Sequence, residues 1–303
     1  MVNVIEVDNL CKKYGEVQAV KSISFSIRQG EIFGIIGPNG AGKTTTLEML
    51  EGILKPDRGT INVLGIVPSK NLKELNKRIG VQFQSTSIQK KMKVKEAITL
   101  FASFYHTPTQ EDHLIDMLGL SEVLNVTFED LSGGWKQRVT LALATIHKPD
   151  ILFLDEPSMG LDPQARREMW SLIQLLREHG CTVVVTTHYM EEAEKLCDRV
   201  AMIYNGELKA LDTPRQLLTE VSGKFLSFEC TQLAYDDLVD LPGVQDVDEK
   251  NGFYKVYSED QQTTAYHIFK YCHEHTVSIS NFKFDQGTLD DLFVHYLKKE
   301  GSI

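Results

Sequence analysis

The run Gly37-Pro38-Asn39-Gly40-Ala41-Gly42-Lys43-Thr44 stands between an apolar stretch, Ile32–Ile36, and a helical stretch that starts at Thr45. A glycine-rich turn joining a buried strand to a helix restricts the chain to strand-loop-helix units of the α/β class. Glycines let successive backbone N–H groups converge on an anion with no Cβ in the way, and the following helix turns its positive end to the same point. Residues 37–45 therefore read as a phosphate cradle. Lys43 is placed to bridge the β- and γ-phosphates of a nucleotide, and the Thr44 hydroxyl to ligate Mg²⁺.

A second motif complements it. Ile151-Leu152-Phe153-Leu154 is a buried strand that delivers Asp155 and Glu156 at its end. Side chains alternate along a strand, so the two carboxylates face apart and serve different tasks. Asp155 suits the Mg²⁺ ion, and Glu156 suits a water attacking the γ-phosphate.

Between these motifs lies Leu131-Ser132-Gly133-Gly134-Trp135-Lys136-Gln137-Arg138, and here the chain resembles an ATP-binding cassette. Ser132, Gly133 and Gly134 open a helix, a second anion-binding helix end in the same chain. The resemblance implies that two cassettes meet head to tail, each ATP held by the loop of one and the Ser132-Gly133-Gly134 end of the other. It also assigns further residues. Tyr14 resembles the aromatic that stacks on adenine, Gln84 the glutamine that reaches Mg²⁺ or the attacking water, Asp162 a residue of the loop crossing the dimer interface, and His188 the histidine that contacts the γ-phosphate. Gln82 competes with Gln84 for its role. Trp135 stands where the family usually has a polar residue, and Ser158-Met159 replaces a threonine-containing pair, a change read as neutral at the interface.

The expected fold is α/β, a P-loop NTPase cassette with a largely parallel sheet over residues 1–222. Residues 81–83, 151–154 and 183–187 read as further buried strands. A helical lobe is inserted at about residues 85–148, where Val94, Ile98, Phe101 and Tyr105 recur at helical spacing and read as core. Residues 223–303 form a small accessory α+β domain carrying 14 acidic residues against 7 lysines, most of the formal charge of −10. Cys272, His273 and His275 do not share one helix face and carry no metal site. The five scattered cysteines read as reduced thiols.

The acidic balance argues against a nucleic-acid partner. No apolar stretch approaches the roughly 18 residues of a membrane span, and residues 1–8 alternate like a strand with no secretion signal. The resemblance, closest to bacterial exporters of drugs, antibiotics or polysaccharides, therefore implies a peripheral subunit on the cytoplasmic side of the membrane. It would hydrolyse ATP with Mg²⁺, pair with a second copy or a homologous cassette, and energise a separate integral permease. The competing class is a soluble cassette ATPase acting on ribosomes or nucleic acid.

Overall fold

The computed structural model describes residues 2–84, 88–105, 111–221, 225–258, 260–285 and 287–293. The chain divides into two compact units, Met1–Thr213 and Pro214–Ile303. The first contains β1 (Asn3–Tyr14), β2 (Val17–Arg28), β3 (Ile32–Ile36), β4 (Arg58–Val63), β5 (Ile79–Gln82), β6 (Ile151–Asp155), β7 (Thr182–Thr187), β8 (Arg199–Tyr204) and β9 (Glu207–Asp212).

The central sheet has the order β5-β6-β7-β3-β8-β9, parallel throughout except where β9 returns against β8. Every residue of β3, β6 and β7 is buried. Such unbroken apolar runs are what a parallel strand covered on both faces requires. A second, antiparallel sheet of order β2-β1-β4 packs on this core. Its long strands alternate buried and exposed positions, and Phe25 of β2 stacks on Phe33 of β3 at 5.5 Å.

The helical lobe between β5 and β6 contains the helices Val94–Ala102, Glu111–Met117 and Gly133–Thr145. Residues 85–87 and 106–110 of the expected lobe lie outside the described residues. Val94 and Ile98 are buried as expected, whereas Phe101 and Tyr105 are half-buried and line an open groove. The stripe is core at one end and groove wall at the other.

The helix Lys43–Glu51 that follows the loop ends on a buried acid. Glu51 is 3% exposed. Burial first, then the charges of Asp155 and Glu48, push its carboxyl from the ordinary 4.5 up to about 8. Between those pH values the unfolded chain ionises Glu51 while the folded chain keeps it neutral. Its contribution to stability is therefore full below about pH 4.5 and is lost as pH rises toward about 8. Glu51→Gln should melt close to the parent near pH 4.5 and above it at pH 8, by up to roughly 4 kcal/mol, one pKa unit being about 1.4 kcal/mol. Thermal melts across that range check this; a gain that shrinks with rising pH would contradict it.

In the second unit, β10 (Phe225–Glu229), β11 (Asp246–Lys250), β12 (Phe253–Tyr257) and β13 (Ser280–Asp285) form an antiparallel sheet of order β11-β12-β10-β13. The helix Gln261–Glu274 buries Ala265, Ile268 and Cys272 in the same cluster as Leu226, Phe228 and Val256. Cys272 thus faces the core while His273 and His275 are exposed. The helix Pro214–Val221, which the sequence reading left in the first domain, falls in the second unit. The antiparallel return of β9 finishes the first sheet at Asp212, and the chain leaves that unit there. Residues 289–293 are helical.

Candidate active site

Strand register brings the motifs together. β6, β7 and β3 are neighbours and run the same way, with Asp155 beside Thr186 and Ile36 beside Thr187. Whatever follows each strand therefore emerges at one edge of the sheet: the loop from β3, Glu156 from β6 and His188 from β7. Ligand sites of open α/β sheets form at this carboxyl edge. There an open cleft of about 580 Å³ is lined by Tyr14, Asn39, Lys43, Thr44, Glu156 and His188, among others.

Two glycines of the loop are required by close packing. Gly37 has φ 152°, and a Cβ on it would lie 2.1 Å from the Ile203 carbonyl oxygen. Gly42 has φ 105°, and its Cβ would lie 2.4 Å from the Ala19 carbonyl oxygen. The loop is also tied to the β8–β9 turn, since Gly206 N donates to Ala41 O at 3.0 Å. Lys43, 5% exposed, donates through Nζ to Gly37 O at 3.0 Å and Pro38 O at 3.1 Å. The same ammonium lies 3.4 Å from Glu156 Oε1.

The carboxylates divide as alternation predicts. Asp155 accepts from the Thr44 hydroxyl at 3.1 and 3.2 Å and from the Thr186 hydroxyl. Glu156 Oε2 meets His188 Nδ1 at 3.1 Å. Glu156 sits in the left-handed region at φ 49°, which costs a side-chain-bearing residue roughly 1–2 kcal/mol. Its N–H donates to Thr186 O at 3.1 Å and to Thr186 Oγ1 at 3.0 Å, bonds that hold it there. Such strain persists only where the surroundings over-determine it, and here it stands at a charged residue in the cleft. The arrangement can grip a polyphosphate with the loop and Lys43, and can take a proton at Glu156.

Gly40 and Thr45 also line the cleft, and Gln84 reaches it with Nε2 3.3 Å from Met159 Sδ. Gln82 does not compete. It is buried against the helical lobe, with Nε2 donating to Gln137 Oε1 at 2.5 Å. Ser132 caps the helix Gly133–Thr145, its Oγ accepting from Trp135 N at 3.4 Å. Ser132, Gly133 and Gly134 are not among the residues lining the cleft. Asp162 caps the helix Pro163–Glu178 by accepting from Gln164 N and Ala165 N at 2.9 and 3.0 Å.

The ABC transporter family model matches residues 20–159. Nod factor export ATP-binding protein I of Ralstonia nicotianae is 33% identical over 307 residues, spanning 98% of this chain and 94% of that protein. The chain belongs to the ABC transporter family of ATP-binding proteins. Linearmycin resistance ATP-binding protein LnrL of Bacillus subtilis is 36% identical over 225 residues, spanning 73% of this chain and 72% of that protein. A solved ATP-binding subunit of an ABC transporter superposes with a TM-score of 0.65 at 26% identity, covering 72% of this chain and 92% of that one. As an ABC ATPase, the chain binds ATP and couples its hydrolysis to transport.

Some residues of this ABC ATPase site escape sequence reasoning. Thr186 touches both carboxylate-bearing residues, but it lies inside an apolar strand and only the register reveals it. Ser158, read as a neutral interface change, is instead fully buried. Its hydroxyl donates to Glu192 Oε1 at 2.5 Å, where Trp170 Nε1 also donates at 2.9 Å. This joins the turn after Glu156 to the helix after His188. Ala19 lines the cleft without belonging to any motif, and Met159, read with Ser158 as a neutral interface change, lines it too. Trp135 is half-buried, its ring 4.5 Å from the Arg138 guanidinium, which in turn pairs with Glu168 at 2.9 Å.

Proposed function

We propose that the chain is the peripheral ATP-hydrolysing subunit of an exporter, acting in a head-to-tail pair on the cytoplasmic side of a membrane. A separate integral permease forms the pathway. What supports the pairing is that the helix end at Ser132, expected to be a second anion-binding element, does not line the cleft that the phosphate loop lines. The helix end at Ser132, Gly133 and Gly134 then serves the nucleotide of the opposing copy, and Asp162 lies in the loop crossing between copies. Tyr14 stacks on adenine, and residues 37–45 wrap the phosphates. Relatives named for Nod factor export and linearmycin resistance support the exporter reading. Among the described residues no helix is long and apolar enough to cross a membrane, so the pathway is assigned to a partner.

The oxygens of Thr44 and Asp155 meet at 3.1 Å, a hard donor set that fits Mg²⁺. Thr44, Asp155 and Gln84 would hold the ion, which when bound neutralises charge on the β- and γ-phosphates. Lys43 adds its charge to the same phosphates, and Glu156 accepts the proton of the water that attacks in line. His188 fixes the Glu156 carboxylate through Nδ1.

Affinity capture of the tagged chain from detergent-solubilised membranes of its host tests the assignment. An integral membrane protein is expected in stoichiometric amount, with ATPase activity that EDTA removes. Recovery of ribosomes or DNA in its place would overturn the reading.

A further inference from the structure

The imidazole of His188 is tied to the site by one hydrogen bond, from Nδ1 to Glu156 Oε2 at 3.1 Å. A ring held at a single atom can still swing about that bond, and its Nε2, the nitrogen left for the nucleotide, swings with it. A contact on the ring face removes that freedom. The ring of Tyr189 lies against that of His188, with centroids 4.1 Å apart and planes tilted by 37°. The same tyrosine ring receives the guanidinium of Arg166, whose Cζ lies 4.5 Å from the centroid. Three side chains thus form one contiguous group that ends at the cleft, which His188 lines.

Arg166 pairs with no carboxylate among the described residues, and its Nε is buried with no acceptor. Taking a guanidinium out of water without an ion pair is costly, and the tyrosine face offsets that cost through an attraction that grows as water is excluded. The backbone beside the ring is pinned as well. Tyr189 N donates to Thr187 Oγ1 at 3.0 Å, and Tyr189 O accepts from Glu192 N at 3.2 Å. Glu192, fully buried, accepts in turn from Trp170 Nε1 at 2.9 Å. Arg166 and Trp170 stand one turn apart on the helix Pro163–Glu178, so a single face of that helix grips the segment after β7 at two points.

We propose that Tyr189 and Arg166 are positioning residues for hydrolysis: the tyrosine ring, held by the guanidinium, fixes the plane of His188 and with it the hydrogen bond to Glu156. This rests on the roles given above to His188 and Glu156. Neither Tyr189 nor Arg166 lines the cleft, so their effect passes through His188. The phosphate loop and Lys43 hold the nucleotide without them. Loss of the stack therefore falls on turnover and spares affinity.

Steady-state ATP hydrolysis and fluorescent-nucleotide titration of the full chain test this. Tyr189→Leu, which removes the ring face, should lower kcat at least about tenfold and leave ATP affinity within about twofold of the parent. Tyr189→Phe keeps the ring and should keep kcat within about twofold. Arg166→Leu should lower kcat by about threefold or more in the parent and not at all once Tyr189 is leucine, since the two act as one chain. The deciding measurement is made in His188→Ala. With no imidazole to orient, Tyr189→Leu should cost that variant nothing further, whereas a ring that merely braces the fold would cost the same in both backgrounds. An unchanged kcat in Tyr189→Leu, a Tyr189→Phe as slow as Tyr189→Leu, or an equal loss with and without His188 overturns the inference and leaves the role of His188 standing. Full turnover in His188→Ala overturns that role and the inference with it. If thermal melting shows that Tyr189→Leu does not fold, Arg166→Leu in the same two backgrounds decides by the same criteria.

Discussion

Glu156→Gln is expected to bind ATP with little change in affinity and to lose turnover by roughly 10²- to 10⁴-fold, the range that a positioned general base supplies. The change is nearly isosteric. The amide still fits between Lys43 Nζ at 3.4 Å and His188 Nδ1 at 3.1 Å, but it cannot accept the proton of the attacking water. If ATP closes a head-to-tail pair and hydrolysis opens it, the variant should accumulate as a stable dimer with ATP and remain monomeric with ADP. Light scattering on a sizing column, with phosphate release measured in parallel, reads both halves of the claim. A variant that stays monomeric with ATP would sink the paired arrangement. One that still turns over would sink Glu156 as the base.

The second large effect is steric. Gly37→Ala drives a methyl group to 2.1 Å from the Ile203 carbonyl oxygen, closer than a non-bonded carbon and oxygen can sit, at φ 152° where alanine is strained as well. Either the loop or the end of β8 must move. Since the phosphate cradle consists of backbone N–H groups, an ångström of displacement spoils several contacts at once. ATP affinity should fall at least about tenfold, on the scale of 1.4 kcal/mol or more. Gly30→Ala separates strain from collision. Gly30 also has a positive φ, 75°, but nothing lies within 4 Å of its added Cβ. That variant should lose about 1–2 kcal/mol of stability and keep its affinity for ATP. Fluorescent-nucleotide titration and thermal melting distinguish the two. Equal affinities would show that the contact with Ile203 is unimportant.

The legible parts of the fold are those whose physics is local in sequence. β3, β6 and β7 announce themselves as unbroken apolar runs because both their faces are covered. The glycine loop and the strand ending in Asp155 and Glu156 place most of the cleft. β1 and β2 are harder to read, since they form a half-exposed antiparallel pair whose register shifts repeatedly along their length. β11, Asp-Val-Asp-Glu-Lys, is nearly all charged and buries only Val247, so nothing in its composition suggests a strand. Only its pairing with β12 makes it one. The same limit applies at the site. Thr186, Ser158 and Glu192 depend on which strands and helices become neighbours, and no local pattern encodes that. Glu51 reads as an ordinary helix-ending acid until its burial is known.

The phosphate loop itself is shaped by distant residues. Its backbone is wedged between the Ala19 and Ile203 carbonyls and tied to Gly206, although its own residues end at Thr44. During synthesis these early residues leave the ribosome long before β8 and β9 exist to support them. A nascent chain ending before residue 206 carries the whole glycine motif without the frame that gives it form. Competence to hold ATP is therefore acquired late, once nearly all of the first unit has been made, and it comes as a property of the completed sheet rather than of the motif.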